Sequence, residues 1–149
     1  MLNREAFDDL IAVNEAAEQI KMKQWVAECG THGCLIGNWA LTKSSWCPVT
    51  PLVIATGFLL DVRQKAAILA ERLGVTQSVA GFLFIGNFYK KSAKHACHLP
   101  GPEALARLKK VYAFLSRRQE LIDAGETWRA MPRRERRKYW NEQEVRAAA

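Results

Sequence analysis

The stretch Gly101-Pro-Glu-Ala-Leu-Ala-Arg-Leu-Lys-Lys-Val-Tyr-Ala-Phe-Leu-Ser-Arg-Arg-Gln-Glu-Leu-Ile-Asp-Ala-Gly125 decides the fold class. Pro102 sits where the first turn of a helix needs no backbone donor, and Gly125 follows the last periodic residue, so both ends are marked. Between them Leu105, Leu108, Tyr112, Leu115 and Ile122 recur at the helical period, while Arg107, Lys110, Arg117 and Arg118 lie off that stripe. The segment reads as a long amphipathic helix with one face for a core and one for water.

Working outward, the same signs recur in shorter form. Asn3 is placed to cap a first helix, with Phe7, Leu10, Ile11, Ala17 and Ile20 as its apolar positions and an expected end near Lys23. Gly30 permits a turn after Trp25 and Val26, and Thr31 is placed to cap a second, apolar helix running to Leu41. Residues 44–60 contain Pro48, Pro51 and Gly57 and read as an irregular connection. Asp61 opens a third helix with Ala66, Ala67, Leu69, Ala70 and Leu73 inside and Gly74 as its stop. Thr76 starts a short apolar element from Gln77 to Ile85, and a polar loop follows from Gly86-Asn87 through His98. Pro132 is placed to open a last, Arg-rich helix. The expected architecture is mainly α: a single compact helical domain of five or six helices, with a helical core at 1–125 and a basic, aromatic C-terminal extension at 126–149.

Composition agrees with one soluble domain. The chain has 149 residues, 49% of them hydrophobic and 25% charged, which is enough to bury a core without disulfides or an obligatory metal. The longest uncharged run, 44–60, is too short and too interrupted for a membrane span, and the acidic N-terminus does not resemble a secretory signal. A cytoplasmic location without membrane contact is expected. Oligomeric state is not legible.

The net charge of +7 is unevenly placed. Residues 1–31 carry three basic and six acidic side chains, whereas residues 107–149 carry twelve and six. Clustered Lys and Arg gain affinity for phosphates by releasing condensed counterions, so an acidic partner is expected, nucleic acid or an acidic protein surface. The candidate contacts are Arg133, Arg134, Arg136, Arg137, Lys138 and Trp140, assisted by Lys109, Lys110, Arg117 and Arg118, with Lys90, Lys91, Lys94 and His95 available to join the same face. On a helix, Arg133, Arg137 and Trp140 share one edge and Arg134 and Lys138 the next, which makes a cationic strip. Arg forks onto phosphate oxygens, and Trp128, Tyr139 or Trp140 can stack on bases. The same strip is equally readable as a solvated helix face anchored by Tyr139 and Trp140. No groove-reading motif accompanies it.

A second constellation occupies residues 29–40, Cys-Gly-Thr-His-Gly-Cys-Leu-Ile-Gly-Asn-Trp-Ala. Here the chain resembles a set of small uncharacterised bacterial and bacteriophage proteins with a Cys-Gly-Thr-x-x-Cys-x-x-Gly-x-Ala signature, matched by Cys29, Gly30, Thr31, Cys34 and Gly37, with Ala40 one position beyond the signature's Ala. Met22-x-x-Trp25 and Leu73-Gly74-Val75-Thr76, with Ala80 and Leu83-Phe84, are similar to its flanking segments. The resemblance implies a helical fold and a bacterial or phage origin, and carries no activity with it. The Arg-rich C-terminus lies outside it.

The residues themselves allow three readings. The structural one makes Gly30 a turn, Thr31 a cap, and Cys34, Gly37 and Ala40 a small-residue face for close helix approach. The second is a zinc site with Cys29, His32 and Cys34 as ligands and Cys47, His95, Cys97 or His98 completing a tetrahedron, although Cys-x4-Cys is at the edge of zinc-ligand spacing. The third is thiol chemistry, in which Cys29 or Cys34 at a helix N-terminus is the nucleophile and His32 the base. With no Gly-rich phosphate loop and no acidic pair at metal spacing, the sequence implies no cofactor, and an enzyme is the weaker expectation. The leading expectation is a non-enzymatic accessory or regulatory protein that binds nucleic acid. A phage modulator of an acidic host protein and a thiol- or zinc-dependent enzyme are the alternatives.

Overall fold

The computed structural model describes residues 1–22, 33–49, 62–86 and 94–125. Among them are five α-helices and one 3-10 turn: α1 Arg4–Ala16, α2 Leu35–Leu41, α3 Val62–Leu73, α4 Gln77–Phe84, the turn Ala96–His98, and α5 Gly101–Asp123. No strand is present among the described residues, only an isolated parallel bridge between Ile20 and Gly33. The protein is therefore mainly α, as its periodicities indicate. No described helix is long and apolar enough to cross a membrane.

Helix α1 is the hub, packing on α2, α3 and α5, while α3 and α4 form a closely packed pair joined by Gly74-Val75-Thr76. Asn3 makes the junction between the two groups. Its Oδ1 accepts from the Ala6 amide at 3.1 Å as the cap of α1, its Nδ2 donates to the Arg72 carbonyl at 2.9 Å, and its own amide donates to Leu73 O at 3.0 Å. One side chain thus satisfies groups at the start of α1 and the end of α3, which the helices' own ladders leave open. Gly74 ends α3 with φ +68°, and a Cβ there would run into the Met1 carbonyl. Thr76 caps α4 as its position suggests, its Oγ1 accepting from the Val79 amide at 3.2 Å.

The core holds Phe7 and Leu10 of α1, Leu35, Ile36 and Trp39 of α2, Leu69 and Leu73 of α3, Leu83 of α4 and Leu108 of α5. Phe7 also stacks on Tyr112 with ring centroids 4.7 Å apart and planes 7° from parallel. Ala66, Leu69, Ala70 and Leu73 are buried as expected, with Ala67 half-buried beside them.

Four expectations are corrected. Helix α1 stops at Ala16 rather than near Lys23, because Ala17 turns extended and the next residues bond elsewhere: Gln19 O accepts from Asn38 Nδ2 at 3.0 Å and the Lys21 amide donates to Gly33 O at 2.9 Å. Tertiary hydrogen bonds win over the helical pattern of Ala17 and Ile20. Helix α2 begins three residues later than expected, capped by Cys34, whose Sγ accepts from the Gly37 amide at 3.4 Å. On α5 the innermost residues are Ala104, Leu108 and Val111, with Leu105, Tyr112 and Leu115 on their flank, whereas Ile122 is 46% exposed and its neighbour Leu121 is the buried residue of the last turn. The loop expected to run through His98 also contains a 3-10 turn, fastened to α4 by Ala96 N→Gly86 O at 2.9 Å.

Candidate functional site

The Cys34 thiol lies in the protein interior. Every residue from Leu35 to Ala40 is buried, so Gly37 and Ala40 form part of a helix enclosed on all sides rather than of a single small-residue stripe. Burial pushes the Cys34 thiol pKa upward against the opposing pull of backbone hydrogen bonds from Gly37 and Ile36. Cys47 behaves alike: its Sγ donates to Val49 O at 3.3 Å, and burial raises its pKa to about 11. Both thiols are protonated at neutral pH, which is the opposite of what a nucleophile or metal ligand needs. At Cys34 desolvation outweighs the N-terminal field of a helix only seven residues long. Cys29, Gly30, Thr31 and His32 lie outside the described residues, and among the described residues no three His, Cys, Asp or Glu side chains are grouped to hold a metal.

What organises this part of the molecule is a pair of buried asparagines that the sequence reading passes over. Asn14 Nδ2 donates to Leu10 O at 2.9 Å and to Leu35 O at 3.0 Å. Asn38 Nδ2 donates to Asn14 Oδ1 at 3.1 Å and to Gln19 O at 3.0 Å, while Asn38 Oδ1 accepts from the Gly33 amide at 2.7 Å. The amides of both side chains are therefore satisfied, and α1, α2 and the Ile20–Gly33 bridge are locked together. The positions on either side of residues 23–32 are held next to each other by this network. A signal exists in the sequence: Asn14 continues the Phe7, Leu10 stripe, and Asn38 interrupts the apolar run Leu35 to Leu41.

A second polar cluster fixes the far end of α2. Asp9 Oδ2 accepts from Trp39 Nε1 at 2.6 Å and from the Ser44 hydroxyl. Tyr112 is turned toward Asp8, and burial, followed by that carboxylate, raises its phenol pKa.

The basic residues of α5 divide between two sides. Lys110, Arg117 and Arg118 fall within an arc of roughly 100° on the helix surface. Lys110 is half-buried and has a bonding partner, whereas Arg117 and Arg118 are exposed. Arg117 contacts Glu120 one turn on at 3.3 Å, a solvent-exposed pair worth little. Lys109 faces α1 instead, 3.7 Å from Glu15, and stands apart from the other three. Arg133, Arg134, Arg136, Arg137, Lys138 and Trp140 lie outside the described residues, as do Lys90 and Lys91. Of the remaining mid-chain group, Lys94 and His95 are exposed.

Arg107, read from the sequence only as an off-stripe cation, has a structural task. Its guanidinium lies 4.3 Å from the Phe82 ring centroid and donates to Phe82 O at 3.1 Å and to Lys94 O at 2.8 Å. It ties α5 both to α4 and to the segment that enters the 3-10 turn. Beyond the opposite end of α4, Leu2, Val75, Val79, Leu115 and Ile122 line an open apolar groove of about 200 Å³ with Arg118 at its rim.

Comparison of the chain with protein-family models, with curated proteins and with solved structures gives no match in any of the three.

Proposed function

We propose that the protein is a non-enzymatic accessory or regulatory module, bacterial or phage-encoded, that holds nucleic acid through its basic C-terminal segment. The observation that carries this reading is the placement of charge: residues 107–149 hold twelve basic against six acidic side chains. Support comes from α5, which presents Arg117 and Arg118 to solvent in its last turns, separated by fourteen residues from Arg133, Arg134, Arg136, Arg137 and Lys138 in the chain. A surface of this composition binds phosphate by charge neutralisation, and Trp140 adds a ring on which a base can stack. The protonated thiols of Cys34 and Cys47 speak against thiol or thiolate-zinc chemistry at those two positions. The resemblance of residues 29–40 to a bacterial and phage signature is the ground for the proposed origin.

The test is fluorescence anisotropy with labelled single- and double-stranded DNA and RNA at low ionic strength, comparing the protein with a variant in which Arg133, Arg134, Arg136, Arg137 and Lys138 are all Ala. Binding by the parent and its loss in the variant is the expected result. No binding by the parent to any of these would overturn the nucleic-acid reading and leave an acidic protein as the partner for the same residues. That second reading would then require a single protein to co-purify after nuclease treatment.

A further inference from the structure

We propose that His95 and His98 form a two-imidazole chelate for a divalent transition-metal ion at the surface of the 3-10 turn. A 3-10 helix has three residues per turn, so residues three apart stand nearly one above the other. His95, immediately before the turn Ala96–His98, and His98 at its end are so spaced, and their ring centroids lie 5.7 Å apart with the planes tilted by 48°. Two imidazoles bound to one tetrahedral ion through nitrogens about 2.0–2.1 Å from it have centroids roughly 5 Å apart. A small rotation of either exposed ring closes the difference.

The backbone that carries the pair is fixed before any ion arrives. Ala96 is fully buried and its amide donates to Gly86 O at 2.9 Å; the His98 amide donates to His95 O at 3.0 Å; and Arg107 holds Lys94 O at 2.8 Å. The two rings are thus mounted on a turn anchored to α4 on one side and to α5 on the other, which lowers the ordering cost that weakens chelation by mobile histidines. Both histidines are exposed and open to an ion from solvent. No third His, Cys, Asp or Glu among the described residues closes on them, so water takes the remaining positions and the site is open rather than structural. Imidazole donors suit zinc, copper and nickel in preference to magnesium or calcium. The site does not depend on the nucleic-acid reading and is separate from the Cys34 and Cys47 thiols.

Zn²⁺ titration of the full chain, followed by the ring resonances of the histidines in ¹H–¹⁵N spectra, tests it. The three histidines, His32, His95 and His98, are distinguished by single substitution. The expected result is that the His95 and His98 rings shift together along one saturation curve, that H95A and H98A each weaken that event by at least about tenfold because the chelate is broken, and that H32A leaves it unchanged. Both substituted side chains are exposed, and an unchanged far-ultraviolet spectrum will confirm that each variant folds. Rings that do not move with Zn²⁺, that move independently, or whose response survives removal of the neighbouring ring overturn the proposal. So does loss of the event in H32A.

Discussion

Asn38, like Asn14, makes three hydrogen bonds through its side chain in the core. Substitution by Ala would strand the buried Gly33 amide and Asn14 Oδ1 and remove the partner of the part-buried Gln19 carbonyl, and an unsatisfied buried group costs about 1–3 kcal/mol. We expect Asn38→Ala to lose about 3 kcal/mol of stability in urea denaturation, with the midpoint lowered and the slope unchanged. At Cys47 the expected signature is in pH. Its thiol pKa is raised in the folded state from 9.0 to about 11, so the folded protein holds the proton more tightly than the unfolded chain. The resulting stabilisation is complete below pH 9 and is lost as pH rises through 11. Cys47→Ala should therefore show a shallower fall of stability over that range than the parent; an identical fall would show that the thiol is not desolvated. The sequence marked Cys47 only as a candidate zinc ligand and did not mark Asn38 at all. Asparagine is ordinarily a surface or cap residue, and what makes Asn14 and Asn38 buried is the meeting of two helices far apart in sequence, which a local pattern does not contain.

At the scale of elements, helix starts and stops were the most readable features, because caps are local chemistry. Asn3, Thr76, Pro102, Gly74 and Gly125 stand where their residue types place them, four of them with the cap bond or the positive φ to match. Failures occurred where a tertiary bond competes with a local preference: Ala17 to Lys21 leave the helical pattern to meet Gly33 and Asn38, and Cys34 rather than Thr31 caps α2. Gly74 allows a direct check. With φ +68° and the Met1 carbonyl in the space a Cβ would fill, Gly74→Ala should destabilise by more than about 2 kcal/mol, since the left-handed conformation alone costs 1–2 kcal/mol in a non-glycine residue. A loss well below this, measured by urea denaturation, would mean that the N-terminal residues move aside without consequence. Arg107 gives a second check at this scale. Arg107→Lys keeps the charge but not the fork that reaches both Phe82 O and Lys94 O, so it should raise amide hydrogen exchange around Ala96 and Cys97 with little change at α1.

For the molecule as a whole, the helical class follows from periodicities, while the proposed function rests on electrostatics. Charge is counted from sequence without any knowledge of packing, and this is why the basic C-terminal region was legible when the Asn14–Asn38 lock was not. Packing refines the count: Lys109 is turned to Glu15 on α1, and Arg117 and Arg118 are the exposed cations of α5. The measurement that bears most directly on the proposed function is the slope of log K against log salt for duplex DNA, in the parent and in the variant with Arg133, Arg134, Arg136, Arg137 and Lys138 changed to Ala. Each phosphate neutralised contributes about −0.9 to that slope, so loss of five contacts should make it shallower by roughly 4. Equal slopes in the two proteins, or no binding by the parent at low salt, would contradict a nucleic-acid role for this segment.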